Sequence, residues 1–246
     1  MEQVIVGAPA PRSVDAGRGV EWWTAAWALF MKKPGMWVVL GLILIIIVIV
    51  LAFVPLLGTL ATSLLLPVFS GGWMLAARKV AGGGGLEPAD LFTGFKDKLV
   101  PLLVLGVLLL GATLIITLVV GALGFGGVMA GMAAGSNASG AFAAAGAGML
   151  ALLVGLALGL VVGMAIWFAS ALVVFRDVAP VDALKLSVAG SLKNIVPFLI
   201  YGLVYLVAAV IASLLFGLGW VVLVPLSLLT AYVSYQDVFE GAAATP

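Results

Sequence analysis

Long unbroken apolar runs, separated by short polar segments, dominate the pattern along this chain. Six stretches, near 35–54, 57–77, 99–122, 149–174, 195–214 and 218–235, are nearly continuous in apolar residues. A helix needs roughly 20 such residues to cross a hydrocarbon core of about 30 Å, so each stretch predicts one span. The first two meet at Pro55-Leu56-Leu57-Gly58 and the last two at Phe216-Gly217-Leu218-Gly219. Junctions this short force antiparallel helical hairpins. Spans three and four are separated by Gly124 to Gly148, an uncharged Gly/Ala-rich stretch. Its small residues predict a flexible connection lying on the outer leaflet or folded over the bundle.

Three short segments show a helical period instead. Trp23, Trp27 and Phe30 share one face, with Glu21 and Lys32 elsewhere on the turn; Phe92, Phe95 and Leu99 line up after Pro88; Val181, Leu184 and Val188 do so in a third. Amphipathic helices of this kind are expected along the headgroup boundary, with aromatic rings at the interface and basic ends toward lipid phosphates.

Composition agrees with the spans. Charged residues make up 9% and the apolar set 65% of the 246 residues, against about 25% and 45–50% in a soluble domain. The mean hydropathy is +1.34. The 11 basic residues are Arg12, Arg18, Lys32, Lys33, Arg78, Lys79, Lys96, Lys98, Arg176, Lys185 and Lys193. With six spans, every one falls before the first span or in the loops after spans two and four. The 10 acids fall there too, or in the C-terminal tail. The positive-inside rule then places both termini of this multi-pass protein in the cytoplasm. Against 10 acids, the net charge of +1 leaves no basic excess for nucleic acid. Without Cys or His the chain lacks thiol nucleophiles, imidazole bases and the usual soft metal ligands. No cofactor or metal site is expected.

The polar segments also repeat. Gly94, Val100, Pro101, Leu103 and Gly106 coincide without gaps with Gly190, Val196, Pro197, Leu199 and Gly202. The N-terminal Leu29-Phe30, Lys32-Lys33-Pro34, Trp37 and Gly41 follow the same plan less closely. Each unit closes on a similar marker: Arg78-Lys79-Val80, Arg176-Asp177-Val178 and Gln236-Asp237-Val238. Pro67 and Pro225 stand at matching places before two of these markers, and Ala165 stands there in the other. The expected fold class is therefore an all-α integral membrane protein. Its six transmembrane helices form three parallel-repeated units, each an interfacial amphipathic helix plus a helical hairpin. The expected organisation is a disordered cytoplasmic tail over 1–18, one membrane domain over 19–239 with units 19–80, 87–178 and 181–238, and a C-terminal tail over 240–246.

Trp23…Leu29-Phe30…Pro34…Trp37, Asp90-Leu-Phe-Thr-Gly-Phe95, Asn194-Ile-Val-Pro-Phe198…Tyr201-Gly202 and Ser234-Tyr-Gln-Asp-Val-Phe239 carry a further signal. Together they resemble an uncharacterised proteobacterial family of six-span inner-membrane proteins. That family is distantly similar to the membrane domains attached to some glycerophosphodiester phosphodiesterases. Gln236 stands where the family pattern has Arg. The resemblance implies an inner-membrane location and six spans, and brings no catalytic residues.

The spans hold no ionisable residue of the kind that marks ion and proton pathways. Their hydroxyls, at Thr59, Thr62, Ser63, Thr113, Thr117, Ser170, Ser213, Ser227 and Thr230, are expected to bond back to their own helices or across helix contacts. Pro67 and Pro225 predict helix kinks. Gly155, Gly159 and Gly163 form a smooth stripe suited to a helix contact, within the bundle or between protomers. Asn137-Ala138-Ser139 matches a glycosylation acceptor, which has no meaning in a bacterial setting. Candidates for headgroup contact are Trp23, Trp27, Lys32, Lys33, Arg78, Lys96, Lys98, Arg176, Lys185 and Lys193. Three functional classes follow. The first is a non-catalytic protein organising lipid or a membrane partner, which includes a homo-oligomer. The second passes or binds a small neutral or lipidic solute. The third is an enzyme using Glu87, Asp90, Asp97 or Asp182 as acids or Mg²⁺ ligands. The lipid bilayer is the one partner all three share.

Overall fold

The structure, a computed structural model, describes residues 10–135, 138–214 and 216–241. Among these the chain is helical and contains no strand. Helix α1 (Arg18–Lys32) precedes a first hairpin of α2 (Pro34–Ala52) and α3 (Leu57–Ala81). A 3-10 turn (Pro88–Phe92) and the short α4 (Gly94–Asp97) precede the second hairpin. It consists of α5 (Leu99–Ala133) and α6 (Ala138–Trp167), which continues as α7 (Ala169–Arg176). Helix α8 (Pro180–Lys193) precedes a third hairpin of α9 (Ile195–Leu214) and α10 (Trp220–Tyr235). A π-helical turn (Gln236–Glu240) follows. Six helices are long and apolar enough to cross a membrane, the predicted number.

The charged residues gather at one end of this bundle. Ion pairs tie together segments far apart in sequence: Arg12 and Arg18 to Asp237, Arg78 to Glu240, and Lys98 to Asp177. The opposite end is made of turns without charge. At the first of these, Leu56 adopts φ 64° and Gly58 lies against the Leu51 carbonyl so closely that no Cβ would fit. The chain reverses there within four residues.

The connection between spans three and four is not a flexible loop. Helix α5 runs 35 residues, roughly four turns more than the 19-residue α2. The surplus lies at the uncharged end. Glycines that lower helix propensity in water allow two backbones to approach here, and helix contact replaces the missing solvent. Gly131 lies where a Cβ would be 2.9 Å from both the Ala144 Cβ and the Gly140 carbonyl. Gly127 faces Ala147 more closely still. The small residues are the packing surface of a helical hairpin. Asn137 lies outside the described residues.

The amphipathic segments also differ from expectation in which face they bury. Helix α1 turns Trp22, Trp23, Ala26, Leu29 and Phe30 into the protein against α9 and α10, while Trp27 is 48% exposed. Helix α8 buries Ala183, Ser187, Gly190 and Ser191, and leaves Val181 outside. Small residues win that face because α8 sits directly on the α6–α7 break. A Cβ at Gly190 would lie 2.9 Å from the Phe239 ring. Ser187 Oγ accepts the Phe168 N–H at 2.9 Å and donates to the Met164 carbonyl at 2.6 Å. A hydroxyl has thus entered the i→i−4 ladder of the span, which accounts for the break.

The N-terminal tail is fastened rather than free over its described part. The Arg12 N–H donates to the Val238 carbonyl at 3.0 Å. Asn194 donates to the Arg12 carbonyl at 2.9 Å and accepts the Val14 N–H at 2.8 Å. Lys193 Nζ donates to the Pro11 carbonyl at 2.9 Å. Residues 1–9 of the predicted disordered tail, and residues 242–246 of the predicted C-terminal tail, lie outside the described residues.

Candidate functional site

Among the described residues the most deeply buried acid or base is Asp237, which is fully buried. Its helix is too apolar to supply a partner, so donors come from the other end of the chain. Arg12 Nη2 donates to Oδ1 at 2.6 Å; Arg18 Nε and Trp22 Nε1 donate to Oδ2 at 2.6 and 3.0 Å. Arg12 Nε also reaches the Asp237 backbone carbonyl. Burial opposes the charge on Arg18, but Asp237 and then Glu21 outweigh it and raise its pKa above the usual value. A buried charge is stable only when its partners are held this closely. Each carboxylate oxygen has a donor, and one donor is left over: Arg18 Nη2 is buried without a hydrogen-bond partner.

The residues proposed for headgroup contact are spread over the charged face and do not form one site. Trp23 is turned to the protein, stacked on Tyr201 at 5.2 Å, while Trp27 stacks on Phe30 and remains outside. Lys32 caps the Ala81 carbonyl at 3.5 Å, and Lys33 forms the bend between α1 and α2. Lys98 pairs with Asp177, Lys185 with Asp182 at 3.3 Å, and Lys79 with Asp90 at 2.9 Å. Lys193 holds the N-terminal segment. Lys96 and Arg176 are exposed and in no ion pair among the described residues. Arg78 lies between, paired with Glu240 and with its guanidinium 3.4 Å above the Phe175 ring. Asp90 caps the 3-10 turn by accepting the Glu87 N–H at 2.8 Å. No group of three or more carboxylates converges among the described residues.

A cavity of about 380 Å³ is the other candidate, within the range of roughly 300–1,000 Å³ typical of ligand pockets. It lies among the first two hairpins, α8 and α10. Leucines and other apolar side chains form most of its wall, and the polar groups are Ser63, Ser70, Thr113, Ser170 and Ser227. No charged residue lines it. Leu66 and Ile166 on its wall are 42% and 41% exposed, so it opens on the apolar flank of the bundle. Pro67 is part of the wall. Its carbonyl accepts the Ser170 hydroxyl at 3.4 Å, a bond between hairpins. Pro225 plays a different part: its ring packs where a side chain on Gly41 would lie, 2.9 Å from a Cβ. Both prolines sit inside continuous helices. Of the remaining span hydroxyls, Ser63, Thr117, Ser213, Ser227 and Thr230 bond back to their own helices.

Comparison with known proteins bears on the same architecture. A Burkholderia thailandensis protein named probable inner membrane protein is 30% identical over 249 aligned residues, covering 93% of this chain and 92% of that protein. The chain belongs to this inner-membrane protein family. The match covers nearly the whole chain and the structure has six membrane-capable helices among the described residues, so a multi-pass inner-membrane protein is what family and structure together describe. No family model matches the chain. No solved structure matches it either.

The sequence reading placed Asp237 in the marker that closes the third unit, and missed its part in holding the N-terminal segment. One signal was available. Asp237 follows a long apolar helix and has no basic neighbour within 40 residues, an arrangement that requires a distant partner if the acid is buried. Asn194 was read as part of a motif, without its task of holding residues 12 and 14. The cavity left no trace, because its wall is built from the same Leu, Ser and Thr residues that line ordinary helix contacts.

Proposed function

We propose that this protein is a non-catalytic inner-membrane protein that takes a lipid chain, or a similar apolar solute, into the cavity between its hairpins. The observation that carries this reading is the cavity itself. It is uncharged and mainly apolar, and it opens beside Leu66 and Ile166, on a flank that meets hydrocarbon in a membrane. A polar solute would meet too few donors there, whereas an acyl chain loses little on leaving its neighbours and gains van der Waals contact. The five hydroxyls suit a chain carrying an ester or hydroxyl.

The test is native mass spectrometry of the protein released from membrane vesicles, wild type against Leu109→Trp. An indole at position 109 fills the cavity from α5. Wild type retains a lipid or apolar solute that the folded variant loses. Equal retention by both proteins would refute the reading.

The reading places the charged face and both termini in the cytoplasm, supported by positive-inside counting. The chain has no native Cys, so single cysteines report directly. A cysteine replacing the exposed Ser139 reacts with an impermeant maleimide from the periplasm, and one replacing the exposed Ala189 does not. The opposite pattern inverts the topology. Three backbone junctions support reading the units as a repeat. Lys33, Lys98 and Asn194, each just before a span, adopt φ/ψ of −146/56°, −139/30° and −120/34°.

A further inference from the structure

The three closing markers found in the sequence meet at one place on the charged face. Arg78 lies in the last turn of α3, Arg176 ends α7, and Gln236 begins the turn after α10. Phe175 is the hub. The Arg78 guanidinium lies on its ring, and Tyr235 and Tyr232 pack against it at 5.4 and 6.1 Å. Both tyrosines are buried, at 0% and 1% exposure. Their hydroxyls lie close to polar side chains, Tyr232 to Arg78 and the Gln236 amide, and Tyr235 to Arg176. Neither hydroxyl forms a hydrogen bond of acceptable geometry. Leaving a buried hydroxyl without a partner costs about 1–3 kcal/mol, so two side by side mark a place where an acceptor is missing.

We propose that this junction binds a phosphate group. Two guanidiniums and two phenols approach from three helices. A planar carboxylate uses the fork of one arginine, whereas a tetrahedral oxyanion can accept from several directions at once. The one acid present, Glu240, occupies Arg78 in the absence of ligand. Arg176 carries no carboxylate partner among the described residues and is exposed, so an incoming anion reaches it first. Glu240 is then a competitor: it sits at the end of the π-helical turn, just before Gly241 at φ 70°. The phosphate can be a lipid headgroup or a soluble phosphate, and the same four donors serve either. This site is separate from the cavity and does not depend on it.

The experiment measures binding by thermal shift and native mass spectrometry of the full-length protein in neutral detergent. The probes are dioleoyl phosphatidic acid, with dioleoyl phosphatidylcholine as the zwitterionic reference, and inorganic phosphate. Arg176→Gln weakens binding about five-fold, the effect of one partly exposed charge pair. Glu240→Gln tightens it by a similar factor, because the competing carboxylate is gone. Lys96→Gln removes the same charge from the same face outside the junction and leaves binding unchanged. A response to phosphatidic acid alone assigns the site to a headgroup, and a response to inorganic phosphate as well assigns it to soluble phosphate; either supports the site. Binding of neither probe overturns it. So does equal weakening by Arg176→Gln and Lys96→Gln, or failure of Glu240→Gln to tighten. Because Arg176 is exposed, its variant is expected to fold, which gel filtration checks.

Discussion

Helices α3 and α10 and the long α5–α6 hairpin belong to one bundle, yet they solve different problems. In the spans at Leu57–Ala81 and Trp220–Glu240, 50% and 61% of the most apolar window is buried in protein; at Leu99–Ala133 and Ala138–Arg176 the share is 11% and 6%. The buried pair is also the least apolar of the six spans. In water the order would be reversed, since the most apolar helix would take the centre. In a bilayer lipid solvates Leu and Ile as well as protein does, so the centre goes to helices with shape and hydrogen bonds to offer. Those of α3 and α10 are Gly71, Gly72, Trp73, Thr230 and Ser234. The hairpin keeps Leu, Ile and Val for the lipid and reserves close packing for its Gly/Ala tip.

The sharpest way to break the contrast is to remove the charge that anchors the buried side. Asp237→Ala removes the buried acid from Arg18, whose side chain is only 16% exposed, and leaves it the solvent-exposed Glu21 alone. Loss of one member of a buried pair removes about 3–5 kcal/mol. The expected outcome is a collapse of the melting temperature in detergent, or no accumulation in the membrane; a variant melting with wild type would show that the network is dispensable. The next largest effect is steric. Gly72 faces the Leu91 carbonyl with no room for a Cβ, so Gly72→Val overpacks a backbone contact and is expected to remove about 2–3 kcal/mol. Gly159 on α6 has nothing within 4 Å, and Gly159→Leu is expected to stay within about 0.5 kcal/mol of wild type. Parallel thermal melts of the two variants test the contrast directly, and similar shifts would abolish it. Between these, Ser187→Ala removes both bonds at the α6–α7 break and leaves the Phe168 N–H without its acceptor. A loss of about 1–2 kcal/mol is expected by the same melts. No loss would mean that the span re-forms its own ladder.

The spans were legible because hydropathy reports length and charge placement without regard to neighbours. All six appear in the structure, four near their predicted limits and the third and fourth extended by 11 residues each at the uncharged end. What hydropathy could not resolve was the partner of each helix face. Trp23 and Trp27 are equally aromatic, and only the position of Tyr201 decides that the first is inside. The stretch from Gly124 reads as a flexible linker by the rules of water, where glycine destabilises helices, and becomes helical where close contact replaces solvent. The glycine stripe of α6 shows the converse. Gly155 touches Val120, while Gly159 and Gly163 face open space, so regular spacing alone did not identify a contact within the bundle. The candidate sites were less legible still. Arg78 and Arg176 stood out as matching markers, but the phenols beside them lie on a different helix, and only the fold brings the two sets together.

The carboxylate of Asp237 has a consequence for biogenesis. Its bonds to Arg12 and Arg18 span 225 and 219 residues, so nearly the whole chain must leave the ribosome before they can form. Until the sixth helix is inserted, both arginines wait at the membrane surface without their acid. A chain cut just before residue 237 keeps all six apolar helices and still can never close this clasp. Completion of the segment after α10 is therefore coupled to the docking of Arg12 and Arg18.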